Sequence, residues 1–209
     1  MSDELADLYG KRFREVLGPL AVRLETFIKE CLEGFPRIDR ISARAKSVDR
    51  FVAKAANVEN GQPKYSDPLN QIQDQIGARI IAFYKDDIDV LSQEIEKYFH
   101  AIEFRTVVPD SDYEFTYFGR HYILLIPDDV IDPDAPKIPL FFEMQLKTLF
   151  QHAWSEANHD LAYKPTAELA SQLKRKIAFA SAQAWGADQI FNELHRELTQ
   201  QTDAPHLMP

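Results

Sequence analysis

"FFEMQLKTLFQHAWSEANHDLAYK", residues 141 to 164, changes its period partway along. Phe142, Met144 and Leu146 alternate with Glu143, Gln145 and Lys147, the two-residue period of a strand with one face in a core. The helix that follows sets His152, Glu156 and His159 on one side at spacings of four and three. A strand that merely faces solvent needs no such trio of acid, amide and base. The wall of a cleft does.

Working upstream, "QIGARIIAFY" (75–84) reads as a buried strand, 85–99 as a helix, and "IEFRTVV" (102–108) and "EFTYFGRHYILLIP" (114–127) as strands. The proline- and aspartate-rich "DDVIDPDAPKIP" (128–139) connects to the opening strand. Nearer the start, residues 3–35 carry apolar positions at three-four spacing and read as two amphipathic helices broken near Gly18-Pro19. "RIDRISARAK" (37–46) alternates like a strand, "SVDRFVAKAAN" (47–57) is a helix with Ser47 at its N-cap, and "VENGQPKYSDP" (58–68) has loop chemistry. Downstream, a stripe from Leu169 to Leu198 predicts one long helix, which either closes the core or offers a coiled-coil or oligomer contact. The tail "TDAPHLMP" (202–209) is expected to fray. The order αα-βα-βα-ββ-β-αα predicts an α/β (α+β) single domain, a mixed sheet flanked by helices. Its parts are an N-terminal helical segment (1–36), a core (37–165) and a C-terminal helix and tail (166–209).

Composition narrows the function. With 209 residues and 45% apolar side chains, the chain fits one core that buries roughly 70% of its unfolded surface. A net charge of −9 argues against broad electrostatic capture of nucleic acid or of an anionic membrane. The single Cys31 cannot form an internal disulfide, no apolar run reaches the ~20 residues of a membrane span, and the acidic N-terminus is unlike a secretory signal. A cytoplasmic protein is expected.

Against that acidic background, Arg37, Arg40, Arg44, Lys46, Arg50 and Lys54 crowd into one short stretch with only Asp39 and Asp49 opposing them. The cluster suits a polyphosphate, or else is an ordinary solvated face. Arg79 inside an apolar strand needs a partner or a flat ring to stack on. Asp74, just ahead of that strand, either caps a turn or reaches into a cleft. One carboxylate from each of two strands is the least that holds a hard cation such as Mg²⁺ against substrate phosphates, and Asp74 with Glu143 are the candidates. His152, Glu156 and His159 either hold a transition metal or are hydrogen-bonded to neighbours. With seven glycines and no phosphate-binding loop, phosphates must be gripped by side chains.

Four blocks in order bring these residues together. "RAKSVDRFVAK", "DQIGARI", "YFGRH" and "FEMQLKTLFQHAWSEANHDLAYK" resemble the donor, magnesium-aspartate, acceptor-base and catalytic-glutamate motifs of the synthetase domain of the RelA/SpoT family. The resemblance implies a nucleotidyltransferase-like sheet and an Mg²⁺-dependent enzyme. That enzyme moves pyrophosphate from ATP to the 3′-hydroxyl of GDP or GTP and releases AMP. It implies ATP binding by Arg44, Lys46, Lys54 and Arg79, and metal binding and catalysis by Asp74 and Glu143. Acceptor binding would fall to Tyr117, His121, Gln145, Lys147, His152, His159 and Lys164. Members that pyrophosphorylate the 3′ end of tRNA or an adenosine nucleotide supply an alternative, and a non-catalytic nucleotide sensor a second. No hydrolase domain is expected upstream, and homo-oligomers occur among small relatives. Two departures stand out: the family's Gly-Tyr-x-Ser-x-His is here Thr116-Tyr117-Phe118-Gly119-Arg120-His121, and Lys147 replaces a common arginine.

Overall fold

The computed structural model describes residues 2–107, 119–132, 140–163 and 170–203. The chain opens with α1 (Ser2–Arg12) and α2 (Gly18–Cys31), joined by one π-helical turn over Phe13–Leu17. The expected break at Gly18-Pro19 does not occur. Residues 12, 17 and 18 keep right-handed helical dihedrals, and the Gly18 amide donates to the Phe13 carbonyl five residues back. The widened turn takes in a proline that an α-helical interior would reject, so two helices become one rod.

After β1 (Ile38–Ala45) and α3 (Val48–Ala55), the stretch read as a loop contains a hairpin, β2 (Val58–Glu59) and β3 (Gln62–Pro63). Asn60 and Gly61 turn it with φ of 52° and 78°, the left-handed pair that Asn-Gly supplies most cheaply. Then come α4 (Pro68–Gln71), β4 (Ile76–Ala82), α5 (Lys85–Tyr98), β5 (Ala101–Val107), β6 (Gly119–Leu125), β7 (Phe141–Thr148), α6 (Leu149–Tyr163) and α7 (Ser171–Asp203).

The main sheet runs β1-β4-β7-β6-β5, parallel only between β4 and β7. Its mixed character is as expected. Ala78, Ile80, Phe142, Met144, Leu146, Tyr122 and Leu124 are buried on one face against Leu17, Leu20, Leu24 and Ile28 of the helical rod and Leu91 and Ile95 of α5. Each large side chain buried there contributes roughly 1.5–3 kcal/mol. The other face is left for chemistry.

The long C-terminal helix forms, but it is inside out relative to the core-closing expectation. Its buried positions are polar, Ser181, Asp188 and Asn192, while Leu173, Phe179, Ile190, Phe191, Leu194 and Leu198 stand exposed. It is clipped to the first turn of α5 by Arg196 and Asn192 on Asp86 and by His195 stacked on Tyr84 at 4.2 Å. Polar anchoring of this kind leaves the apolar stripe outward. Among the described residues no helix is long and apolar enough to cross a membrane.

Candidate active site

Register alone assembles the polar face. Arg44, Gly77, Glu143 and Ile123 lie on one rung across β1, β4, β7 and β6, and Ser42, Arg79, Gln145 and His121 lie on the next. Gly77 therefore separates Arg44 from Glu143, and a Cβ added there would meet nothing within 4 Å. The floor between a cation and a carboxylate is open.

Asp74 stands at the mouth of β4. Lys46 and Lys54 both reach its Oδ2, at 2.9 and 2.8 Å. Burial alone would raise its pKa, but the hydrogen bonds and charges of Lys54 and Lys46 outweigh this and hold the carboxyl below its usual range. Its Oδ1 is buried with no hydrogen-bond partner. The residue is held from behind. Buried Gln75 donates to the carbonyls of Leu69 and Ile72 and accepts from Arg12, while its own carbonyl takes the Lys46 amide. Tyr9, stacked on Phe51 at 3.7 Å, donates to the Lys46 carbonyl. The helical rod thus fixes both the aspartate and one of its lysines.

Glu143 accepts a hydrogen bond from His121 Nδ1 at 3.0 Å. Burial pushes its pKa up, but the hydrogen bond and charge of His121 prevail and keep it low; the charge of Asp74 opposes them. The two carboxylates, 69 positions apart in the chain, are thus close enough to repel. Two hard oxygen donors, one with an orphaned lone-pair site, fit a divalent cation that takes its remaining ligands from phosphates and water. Among the described residues no group of three or more His, Cys, Asp or Glu is placed to cage a metal alone, so His152, Glu156 and His159 do not form one.

Those α6 residues are used differently. Arg79 Nη1 donates to Glu156 Oε1 at 2.7 Å and lies 3.2 Å from His152 Nδ1, while His159 is exposed one turn on. The partner that Arg79 required is therefore a helix crossing the sheet. Lys147, read as lining the cleft, is only 4% exposed and donates to Ser155 Oγ at 3.0 Å under α6. Burial, with the charge of Arg79 second, brings its pKa down to about 7. Thr148 and Gln151 cap the start of α6 reciprocally, and Gln151 donates to the buried Asp188 of α7. That carboxyl, desolvated and with Oδ1 unpartnered, is pushed up to about 6.

Of the residues expected in the site, Lys46, Lys54 and Asp74 meet directly, as do His121 with Glu143 and Arg79 with His152. Arg44, Gln145 and Lys147 share the same sheet face. Arg79 thus joins the sheet face to α6. Tyr117 and Lys164 lie outside the described residues, as do most of 128–139 and the last six positions. Sequence reasoning overlooked Gly77, Gln75 and Asp188. Only Gly77 left a signal, a glycine inside a strand, which marks a close approach by something else.

Comparison with known proteins identifies the family and the fold. A family model described as a region found in RelA / SpoT proteins matches residues 43–168, more than half of the chain. GTP pyrophosphokinase YjbM of Bacillus subtilis (strain 168) is 26% identical over 208 residues, covering 95% of this chain and 92% of that protein. Among solved structures, small alarmone synthetase 1 from Bacillus subtilis bound to its product pppGpp superposes with a TM-score of 0.69 at 21% identity, over 92% of this chain and 97% of that one. A GTP pyrophosphokinase family protein from Streptococcus pneumoniae gives 0.68 at 19% identity over 95% of each. At such identities the two structures establish a shared fold.

Proposed function

Because this chain belongs to the RelA/SpoT family, we propose that it is a (p)ppGpp synthetase, an ATP:nucleotide pyrophosphokinase acting on the 3′-hydroxyl of GDP or GTP. The observation that carries this reading is the Asp74 carboxylate. It is saturated by two lysines on one oxygen, bare on the other, and near enough to Glu143 for their charges to interact.

The reaction joins the acceptor 3′-oxygen to the β-phosphorus of ATP, breaks the bond between the α and β phosphates, and frees AMP. Two nucleotides bring on the order of seven negative charges together, and the transition state spreads them further, so preorganised cations matter most. Lys46, Lys54 and Arg44 supply them on the donor side. Arg44 and Arg79 are diagonal neighbours on adjacent strands. Their ~7 Å separation equals about two stacking distances, and we assign adenine to that gap. Glu143 is ionised at neutral pH and takes the proton of the attacking hydroxyl, a role worth roughly 10²–10⁴ in rate. His121, by donating to Glu143, holds the carboxylate in place. Asp74 and Glu143 would hold a divalent ion, Mg²⁺ by its preference for hard oxygens; when bound it neutralises phosphate charge in the transition state. The resemblance assigns the acceptor to Tyr117 for its base and to His121, Gln145, His159 and Lys164 around it.

Self-association through the outward stripe of α7 accords with the exposure of Phe179, Ile190, Leu194 and Leu198, and light scattering tests it. A cytoplasmic location, where both nucleotides are abundant, suits the reading.

Incubating the protein with labelled ATP, Mg²⁺ and separately GDP, GTP, ATP or tRNA tests it. Label transfer to GDP or GTP with equal AMP release is expected. Transfer to tRNA or ATP alone would instead support the alternative acceptors, and no AMP with any acceptor would leave only a nucleotide-binding sensor.

A further inference from the structure

We infer that Glu156 is a positioning residue for the donor nucleotide: from α6 it sets the orientation of the Arg79 guanidinium on the sheet below. The inference rests on the donor-site reading of Arg79 given above.

Glu156 and His152 are four apart on α6 and so project from one side of it. Both meet the same atom, Nη1 of Arg79, at 2.7 and 3.2 Å. A guanidinium tethered at one nitrogen by two groups keeps Nη2, Nε and its flat faces for other work. Its plane is set before any ligand arrives, which lowers the ordering cost of binding.

Charge adds to this. Arg79 lies beside two further basic groups, Lys147 and His152, and burial first and its charge second lower the pKa of both. The carboxylate of Glu156 opposes both shifts. Without it, Arg79 would face Lys147 without that carboxylate between them, and a long flexible side chain would swing toward solvent. The pair is nonetheless a poor stabiliser of the fold, because Glu156 is 52% exposed against 21% for Arg79 and screening weakens rim ion pairs. An interaction that contributes little to folding yet fixes the plane of a ligand-binding group acts on binding.

The test is equilibrium binding of a fluorescent, non-hydrolysable ATP analogue to wild type, Glu156→Ala, Glu156→Gln, Arg79→Ala and the Arg79→Ala/Glu156→Ala double variant, each with its melting temperature. Glu156→Ala should weaken binding about tenfold, with Glu156→Gln between it and wild type and melting temperatures within about 3 °C of one another. The double variant should bind no worse than Arg79→Ala, since Glu156 acts only through Arg79. Unchanged or tighter binding by Glu156→Ala, or additive losses in the double variant, would overturn the inference. Failure of the synthetase reading shows up separately: a wild type that binds the analogue but releases no AMP with any acceptor removes that reading and leaves the role of Glu156 standing.

Discussion

Replacing Lys147 by methionine tests how the site face is built. Folding takes this lysine from its ordinary 10.5 to about 7, through burial first and Arg79 second. Between those two values the unfolded chain holds a proton that the folded chain lacks, so stability rises with pH across that window. The penalty is full below pH 7 and fades toward pH 10.5. Between pH 7 and pH 9 it should shrink by about 2 kcal/mol, a little under two decades at 1.36 kcal/mol each. Methionine keeps the unbranched shape without the charge and forfeits the hydrogen bond to Ser155, which contributes about 1 kcal/mol. Lys147→Met should therefore exceed wild type in stability at pH 7, and its advantage should narrow by about 4–8 °C in melting temperature at pH 9. Urea unfolding at both pH values, read as the difference between the two proteins, removes every other titrating group from the comparison. A gap that does not change with pH would show that the amine is not desolvated as the structure has it.

Three further outcomes are expected. Glu143→Gln should lower turnover by roughly 10²–10⁴ while affinity for an ATP analogue stays within about threefold, and steady-state rates within tenfold of wild type would remove it as the base. Gly77→Val should push methyl groups into the open floor between Arg44 and Glu143 and reduce kcat/KM on the order of 10²-fold. Because a Cβ meets nothing there, the melting temperature should hold, and an unimpaired enzyme would mean that nothing occupies that space. Asp188 favours its neutral form in the fold, so its contribution is present at low pH and lost as pH rises through about 6. Asp188→Asn should be the more stable protein at pH 8 and lose that lead by pH 4.5; equal urea midpoints at both would contradict a buried, unsatisfied carboxyl.

Much was legible locally. The two-residue alternation of Phe142 to Lys147 told which side of β7 is core, because the pleat leaves a strand no other choice. Asn60-Gly61 carries a hairpin signal, but the two-residue strands on either side leave no hydrophobic alternation to support it. The helix runs on past Gly18-Pro19 because a π turn, closed by the Gly18 amide on the Phe13 carbonyl, leaves room for the proline, and spacing does not encode that.

The inventory can be read along the chain: periodicities that make the elements, and the residue types at Asp74, Arg79, Glu143 and the early cluster of arginines and lysines. Which residues meet is settled by packing. Strand order set Gly77 between Arg44 and Glu143, the helical rod braced Lys46 and Gln75 behind Asp74, and the crossing of α6 gave Arg79 its partners and buried Lys147. The outward stripe of α7 belongs to the same class, since its three-four spacing says that one face is apolar but not which way it turns. Repeating patterns report backbone geometry over a few residues, whereas a contact between positions far apart in the chain depends on how whole elements pack, and no local period records that.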